Sequence, residues 1–232
     1  MDQTTFKTAN DLKPLMGAAL APKLVDVRRP EDVTEDPFRL PGSLRCAHSN
    51  ICNWSRTLDP GYTVVVICQK GLKLSAGAAA QLRARGHVAH ALEGGTLGWA
   101  MAGLPRIRDD TVAETYAFPT PCTPHAFLAL WTILRWIAPD AAILWVPWDM
   151  VHDVADRFDA VPVPHDTSLA EILANAGLDW APLRTFLSAA PTDGWAELLQ
   201  APQRLHVTPE AAAKAALPLI DAAWTALRED IT

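Results

Sequence analysis

The chain has 232 residues with a formal net charge of −6, and half of its residues are hydrophobic. This length fits one large domain or two small ones, and the composition excludes a chain that is disordered throughout. No apolar run reaches the roughly 18–20 residues of a membrane-spanning helix, and the N-terminal residues lack the apolar stretch of a signal peptide. Four cysteines are too few for a disulfide scaffold, so we expect a cytoplasmic protein with reduced thiols.

The charge is unevenly distributed along the chain. Residues 1–110 carry 14 Lys and Arg against 11 Asp and Glu, whereas residues 111–232 carry 6 against 15. Such a change in composition predicts two domains. An acidic second half is a poor candidate for nucleic-acid binding, which depends on clustered Lys and Arg.

The first half alternates β-rich runs with a helical pattern. Residues 24–27 and 63–67 are short apolar runs, and the second is rich in β-branched residues, as in a strand buried on both faces. Ser75 is predicted to open a helix over residues 76–85, and residues 88–92 form the next strand. Strand, helix and strand in this order predict a parallel α/β sheet flanked by helices.

The second half is predicted to be mainly α-helical. Its first part, residues 107–122, is interpreted as a linker because prolines there favour an extended path. Residues 123–232 follow as a second domain, with a strand at 143–146 and a final helix that begins near Thr208. Four tryptophans of this half could line an apolar pocket, but we expect them to be core residues: Trp131, Trp136, Trp145 and Trp148.

Cys68 is the leading candidate for chemistry, because it directly follows the buried run 63–67. The loop after it joins the carboxyl end of a strand to the N-terminus of a helix, where open α/β sheets bind ligands. Backbone N–H groups, the helix dipole and the charges of Lys70 and Lys73 would favour an anion and the nucleophilic thiolate. The alternative is a buried, inert cysteine. The predicted anion-binding loop consists of Gln69, Lys70, Gly71, Leu72, Lys73, Leu74 and Ser75.

Four motifs stand in order within residues 1–106. They are Leu24-Val25-Asp26-Val27-Arg28 with Pro30-Glu31, Leu40-Pro41-Gly42-Ser43, Cys68 with Gly71, and Leu92-Glu93-Gly94-Gly95 with Trp99 and Gly103-Leu104-Pro105. Together they resemble the rhodanese domain, a sulfurtransferase module. The resemblance implies that Cys68 takes the outer sulfur of thiosulfate or of a protein persulfide, carries it as a persulfide and passes it on, without a cofactor or a metal ion. Asp26 and Arg28 match motif positions that are expected to organise the strand end.

The Cys68 loop departs from the common rhodanese pattern Cys-x-x-Gly-x-Arg-Ser. Lys73 stands at the Arg position and Leu74 precedes Ser75, so we expect a loop that is one residue longer. Related phosphatases have longer loops but end them with an Arg that binds phosphate in a bidentate manner. That Arg is missing here, so phosphatase activity is not expected.

The other cysteines give weaker signals. Cys46, His48 and Cys52 form a cluster whose spacing matches no strong zinc motif, so we predict no metal site. Cys46 or Cys52 could resolve a Cys68 persulfide, or both could be ordinary loop and core residues. Cys122 lies between two prolines and is expected to be exposed.

A second, weaker similarity covers residues 123–228. Residues 131–141, 145–151 and Thr192-Asp193 are similar to elements of chromate-resistance proteins of the ChrB type, in which a paired Arg is here reduced to Arg135. This similarity implies an alternative function, a non-catalytic accessory protein of chromate resistance that senses an oxyanion or redox state. The second half would then be the surface for a protein partner.

Overall fold

The computed structural model describes residues 5–18, 20–189 and 193–231 of the chain. These residues form two compact units: the first holds residues 20–110 and the described residues before 17, and the second holds residues 111–231 with residues 17 and 18. No helix in the described ranges is both long and apolar enough to cross a membrane. Thr192, which belongs to one of the motifs named above, lies outside them.

The first unit is built on a parallel sheet. Its strands are β1 (Phe6–Lys7), β2 (Lys23–Asp26), β3 (Phe38–Arg39), β4 (Ser43–Arg45), β5 (Val64–Ile67), β6 (Ala89–Leu92) and β7 (Ile107–Arg108). Five of them form one sheet in the order β1-β6-β5-β2-β4, and every neighbouring pair is parallel. β3 and β7 form a separate antiparallel pair. The predicted parallel α/β architecture is therefore confirmed.

Strand β5 lies at the centre of the five-stranded sheet. All four of its side chains are at most 1% exposed, which explains why its sequence is continuously apolar rather than alternating. Burial of each such aliphatic side chain stabilises the fold by about 1.5–3 kcal/mol. Because β5 is packed on both faces, it fixes the position of the backbone of Cys68, the residue that follows it.

Helices cover the sheet of the first unit. They are α1 (Ala9–Leu12), α2 (Pro30–Glu35), α3 (Ile51–Trp54), α4 (Lys73–Arg83) and α5 (Gly95–Met101). The Ala-rich sequence of α4 favours a helix, and its apolar face buries Ala78, Ala79 and Leu82 against the core that contains Val64 and Val66. Helix α4 thus packs on β5, the strand that directly precedes Cys68.

The second unit is mainly helical, as predicted, and also contains a small sheet. Its strands are β8 (Thr115–Thr120), β9 (Ala142–Pro147) and β10 (Val161–Pro162), all parallel in the order β10-β8-β9. Its α-helices are α6 (Pro124–Thr132), α7 (Val151–Phe158), α8 (Leu169–Asn175), α9 (Ala181–Ala189), α10 (Asp193–Leu205) and α11 (Pro209–Ile231). A π-helical segment, Ile133–Ile137, continues α6.

The segment 107–122, interpreted from the sequence as a linker, instead contributes strands to two sheets. β7 pairs with β3, and β8 is the central strand of the second unit. The prolines favoured a linker, but β8 tolerates Pro119 because this residue lies near the end of the strand. There β10 no longer pairs with β8, so the missing N–H breaks no ladder on that side.

Aromatic side chains form the core of the second unit. Trp131, Trp136, Trp224 and Phe186 are at most 1% exposed, and their neighbouring ring centroids lie 5.3–6.2 Å apart. Trp131 and Trp136 are core residues, as expected from the sequence, and Trp145 is partly buried. Trp148, by contrast, is 65% exposed.

A buried carboxylate, that of Asp221, lies beside this aromatic core. Asp221 accepts a hydrogen bond from the Trp131 indole at 2.8 Å and two from Arg135, both at 2.9 Å. The carboxylate is 1% exposed, so its charge needs these partners. Arg135 is the Arg that remains of the pair found in the chromate-resistance proteins. Its side chain is partly exposed and forms an ion pair with the buried Asp221.

Candidate active site at Cys68

Cys68 stands between strand β5 and helix α4. It follows Ile67, the last residue of β5, and is itself only 5% exposed. Its Sγ lies 3.1 Å from the Ser75 hydroxyl oxygen. The sulfur is therefore held at the carboxyl edge of the sheet, beside the first turn of α4, as the sequence predicts.

Helix α4 begins two residues before Ser75, which corrects two expectations. The first helical residue is Lys73, and Leu72 is the N-cap. Ser75 is therefore a helical residue, and its hydroxyl donates to the Leu72 carbonyl at 3.3 Å and contacts Cys68 instead of capping the helix. The loop is not lengthened at the helix start, because the extra residue lies within the first turn.

Two glycines bring the Cys68 loop into direct backbone contact with the turn after β6. Gly71 has φ +65° and Gly95 has φ +58°, both in the left-handed region that favours glycine. A Cβ on Gly95 would lie 2.1 Å from the Cys68 carbonyl oxygen, and one on Gly71 would lie 2.4 Å from the Leu92 carbonyl oxygen. The Glu-Gly-Gly motif therefore permits a contact that any larger residue would disrupt.

Helix α5 donates backbone hydrogen bonds to the same loop. The Thr96 amide donates to the Cys68 carbonyl and the Leu97 amide donates to the Gln69 carbonyl, both at 3.0 Å. These are N–H groups of the first turn of α5, which have no partner within their own helix. The loop and α5 thus satisfy each other's backbone groups and fix the Cys68 main chain.

Asp26 and Arg28 organise the neighbouring strand end. The Asp26 carboxylate, 1% exposed, accepts from the Arg28 amide and side chain at 2.9 Å and from Arg45 at 2.8 Å. Arg28 also donates to the Asp36 carbonyl at 2.8 Å. This network ties β2, α2 and β4 together, and neither residue lines the Cys68 pocket.

A cavity of about 460 Å³ opens in front of Cys68. Its lining contains three cations and one carboxylate, so its charge suits an anion. Cys68 and five residues of the predicted loop line this cavity, whereas Gly71 and Ser75 support the loop from outside the lining. The lining residues are Arg29, Asp32, Cys68, Gln69, Lys70, Leu72, Lys73 and Leu74.

Arg29 and Asp32 are the site residues that the sequence interpretation missed. Arg29 donates from Nη2 to Asp32 Oδ1 at 3.2 Å and from its backbone N–H to Asp32 Oδ2 at 3.1 Å. Burial raises the pKa of the Asp32 carboxyl, but the hydrogen bonds from Arg29 outweigh burial, so this pKa lies below its ordinary value. The same pairing raises the pKa of Arg29. The signal for this pair was the Arg-Pro-Glu-Asp run, which starts a helix next to the Cys68 loop.

The remaining cysteines lie elsewhere. Cys46 and His48 line a different cavity of about 510 Å³, and Cys52 is exposed, with its Sγ 2.7 Å from the Arg85 guanidinium. Within the described ranges, no group of three or more His, Cys, Asp or Glu side chains could hold a metal ion.

Cys122 is buried, contrary to the expectation of an exposed linker cysteine. It is 6% exposed, and its thiol donates to the Pro119 carbonyl at 3.3 Å. Burial raises the pKa of this thiol to about 12. The flanking prolines were interpreted as a linker, whereas this segment is folded into the second unit.

Residues 8–102 match the family model of the Rhodanese-like domain. This part of the chain is a rhodanese-like domain. The match confirms the resemblance inferred from the four motifs. It ends before the second unit, so the similarity of that unit to chromate-resistance proteins stays a prediction.

Three solved structures are each similar to less than half of the chain. A rhodanese-related protein from Thermoplasma volcanium is 26% identical, with a TM-score of 0.39, and the match covers 44% of this chain and 95% of that chain. A rhodanese-like domain protein from Staphylococcus aureus is 23% identical, with a TM-score of 0.37, over 41% of this chain and 91% of that one. A Rhodopseudomonas palustris protein of unknown function, called a possible tyrosine phosphatase, is 25% identical, with a TM-score of 0.36, over 44% and 83%. No curated protein matches the chain.

Proposed function

We propose that the chain is a sulfurtransferase of the rhodanese type, with Cys68 as its nucleophile. The observation that carries this proposal is the position of Cys68, at the end of a buried strand, beside the N-terminus of α4, in a cavity lined by Arg29, Lys70 and Lys73. The N-terminus of the helix and these cations attract an anionic sulfur donor to the cavity.

The reaction proceeds in two displacements. The Cys68 thiolate attacks the outer sulfur of thiosulfate, the S–S bond breaks, and sulfite leaves with the bonding electron pair, so that Cys68 becomes a persulfide anion. A thiophilic acceptor such as cyanide then attacks the terminal sulfur, forms thiocyanate and returns the thiolate. Charge and electrons balance in each step, so the transfer needs neither a cofactor nor a metal ion.

The surrounding residues support both displacements. The Ser75 hydroxyl lies 3.1 Å from Sγ, and it can turn its one proton from the Leu72 carbonyl to the thiolate. Lys70 and Lys73 line the same cavity as Cys68, so their charges can stabilise the departing sulfite and the persulfide anion. Gly71 and Gly95 keep the loop backbone fixed through both steps. We place the reaction in the cytoplasm, where the thiols stay reduced.

The proposal is tested by thiosulfate-to-cyanide sulfur transfer with purified full-length protein. We expect thiocyanate formation by the wild type and by Cys52→Ser, which removes an exposed thiol outside the cavity, and none by Cys68→Ser. A folded wild-type protein without turnover, with thiosulfate and with a small persulfide as donors, would contradict the proposal.

One observation favours a second candidate function. Lys73 replaces the usual loop Arg, and Cys68 is 5% exposed, so the cavity can bind an anion in a protein that turns over poorly. In that case the chain is an accessory protein that senses an oxyanion, with the second unit as its partner-binding part. Binding of chromate or sulfate to the wild type without any sulfur transfer would favour this alternative.

A further inference from the structure

Arg29 is one of the charged residues that line the Cys68 cavity. Its side chain is 58% exposed, and it comes from the residue before α2, not from the Cys68 loop. Nε and Nη2 donate to the Asp32 carboxylate, while Nη1 makes no hydrogen bond to any residue of the described chain. Arg29 and Asp32 both line the cavity that contains Cys68.

The Cys68 loop itself supplies no guanidinium. Lys70 and Lys73 are exposed cations on that loop, and an ammonium group acts as a point charge without the planar, forked donors of Arg. An oxyanion with several oxygens is bound best by such a fork. In this chain Arg29, at the start of α2, is the guanidinium among the cavity's lining residues. Asp32 occupies the edge with Nε and one Nη2 proton, so the edge left for an oxyanion is Nη1 with the second Nη2 proton.

Asp32 fixes where this fork points. Its side chain is only 9% exposed, so the carboxylate is a fixed anchor rather than a mobile surface group. A purely structural role, in which Asp32 closes the first turn of α2 through the Arg29 amide, accounts for the carboxylate alone. It does not account for the side-chain pairing that holds the guanidinium at the cavity wall.

We propose that Arg29 forms an oxyanion subsite opposite Cys68, and that this subsite sets the preference of Cys68 for dianionic sulfur donors. The inference rests on the proposed sulfur transfer. The sulfonate end of thiosulfate lies against Arg29 Nη1 and its outer sulfur faces Cys68, with Lys70 and Lys73 completing the charge balance. Asp32 is a positioning residue, since it acts through Arg29.

Steady-state kinetics with two donors test the specificity. Thiosulfate is a dianion, and methanethiosulfonate carries the same transferable sulfur on a monoanion. For Arg29→Met we expect the KM for thiosulfate to rise about tenfold, the KM for methanethiosulfonate to rise much less, and kcat to change less than about twofold for either. Arg29→Lys should restore part of the thiosulfate KM, and Asp32→Asn should raise it without lowering kcat.

Arg108→Met is the matched control, because Arg108 also pairs with an aspartate, Asp110, at 2.6 Å but does not line the cavity. It should leave both KM values unchanged. Equal KM changes for the two donors in Arg29→Met, or an unchanged thiosulfate KM, would overturn the proposal while leaving sulfur transfer intact.

A binding measurement separates this inference from the proposed function. In a Cys68→Ser background no sulfur can be transferred, so calorimetry reports thiosulfate and sulfate binding alone. We expect binding that weakens about tenfold when Arg29→Met is added and stays the same when Arg108→Met is added. Arg29-dependent binding without wild-type turnover would refute the enzyme and keep the subsite, whereas Arg29-independent binding would refute the subsite.

Discussion

Replacing Gly95 by Ala tests the backbone contact that holds the Cys68 loop. The substitution puts an L side chain at φ +58°, which costs about 1–2 kcal/mol. Its Cβ would also meet the Cys68 carbonyl oxygen at 2.1 Å, and because this neighbour is backbone, relief requires a shift of the loop itself. Overpacking of this kind adds about 1–3 kcal/mol, so we expect a total loss of about 2–5 kcal/mol.

Gly103→Ala is the matched control, since Gly103 has φ +66° but, its two chain neighbours apart, no atom of the described residues lies within 4 Å of the position that a Cβ would take there. It should show the conformational cost alone. Urea unfolding followed by circular dichroism measures both losses, and the alkylation rate of Cys68, read by peptide mass, measures the loop. Gly95→Ala should change that rate and Gly103→Ala should not. If Gly95→Ala and Gly103→Ala lost equal stability and neither changed the alkylation rate of Cys68, the close contact between Gly95 and the Cys68 carbonyl would be refuted.

Four further predictions concern individual side chains. Ser75→Ala removes the hydroxyl 3.1 Å from the Cys68 sulfur and should slow its alkylation roughly two- to tenfold; an unchanged rate would show that the contact is passive. In native protein at pH 8, a thiol reagent should label exposed Cys52 but not Cys122. Because burial raises the pKa of Cys122 from 9.0 to about 12, stability should fall as the pH rises above about 9, and a Cys122→Ala variant should lose that part of the slope. Asp221→Asn removes the charge from the buried carboxylate and should cost about 3 kcal/mol in tryptophan-monitored unfolding; a loss below about 1 kcal/mol would contradict its role in the core.

The sequence identifies the strands of the first unit because their burial leaves a simple pattern. β5 is surrounded on both sides and both faces, so it can contain only apolar residues, and its position marks Cys68. The motif Glu93-Gly94-Gly95 could also be found from the sequence. Its physical reason could not, because the contact between Gly95 and the Cys68 carbonyl joins segments far apart in the chain.

The start of helix α4 was predicted wrongly from local helix-capping preferences, because tertiary contacts compete with them. Ser75 has the side chain of a helix cap, but its hydroxyl is used by Cys68, and the helix begins at Lys73 without a side-chain cap. The role of Arg29 could not be predicted from the Cys68 loop, because Arg29 lies about 40 residues before Cys68 in the chain. The structure brings this Arg to the cavity from the start of α2, which no spacing rule along the loop can show.

In the second half, prolines were a misleading signal. The segment 107–122 was interpreted as an extended linker. Part of it is extended, but as the strand β8 of a parallel sheet. The sequence contains the clue in Tyr116 and Phe118, both buried side chains on the same face of a strand. The error about Cys122 follows directly from the linker interpretation.

Intact mass spectrometry of the protein after brief exposure to thiosulfate is the most direct test of the central claim. We predict that the wild type gains the mass of one sulfur atom, that cyanide removes it, and that Cys52→Ser behaves in the same way. Cys68→Ser, with an unchanged circular dichroism spectrum, should gain nothing. A folded wild type that acquires no sulfur, or a sulfur adduct that persists in Cys68→Ser, would contradict the assignment of Cys68 as the sulfur carrier.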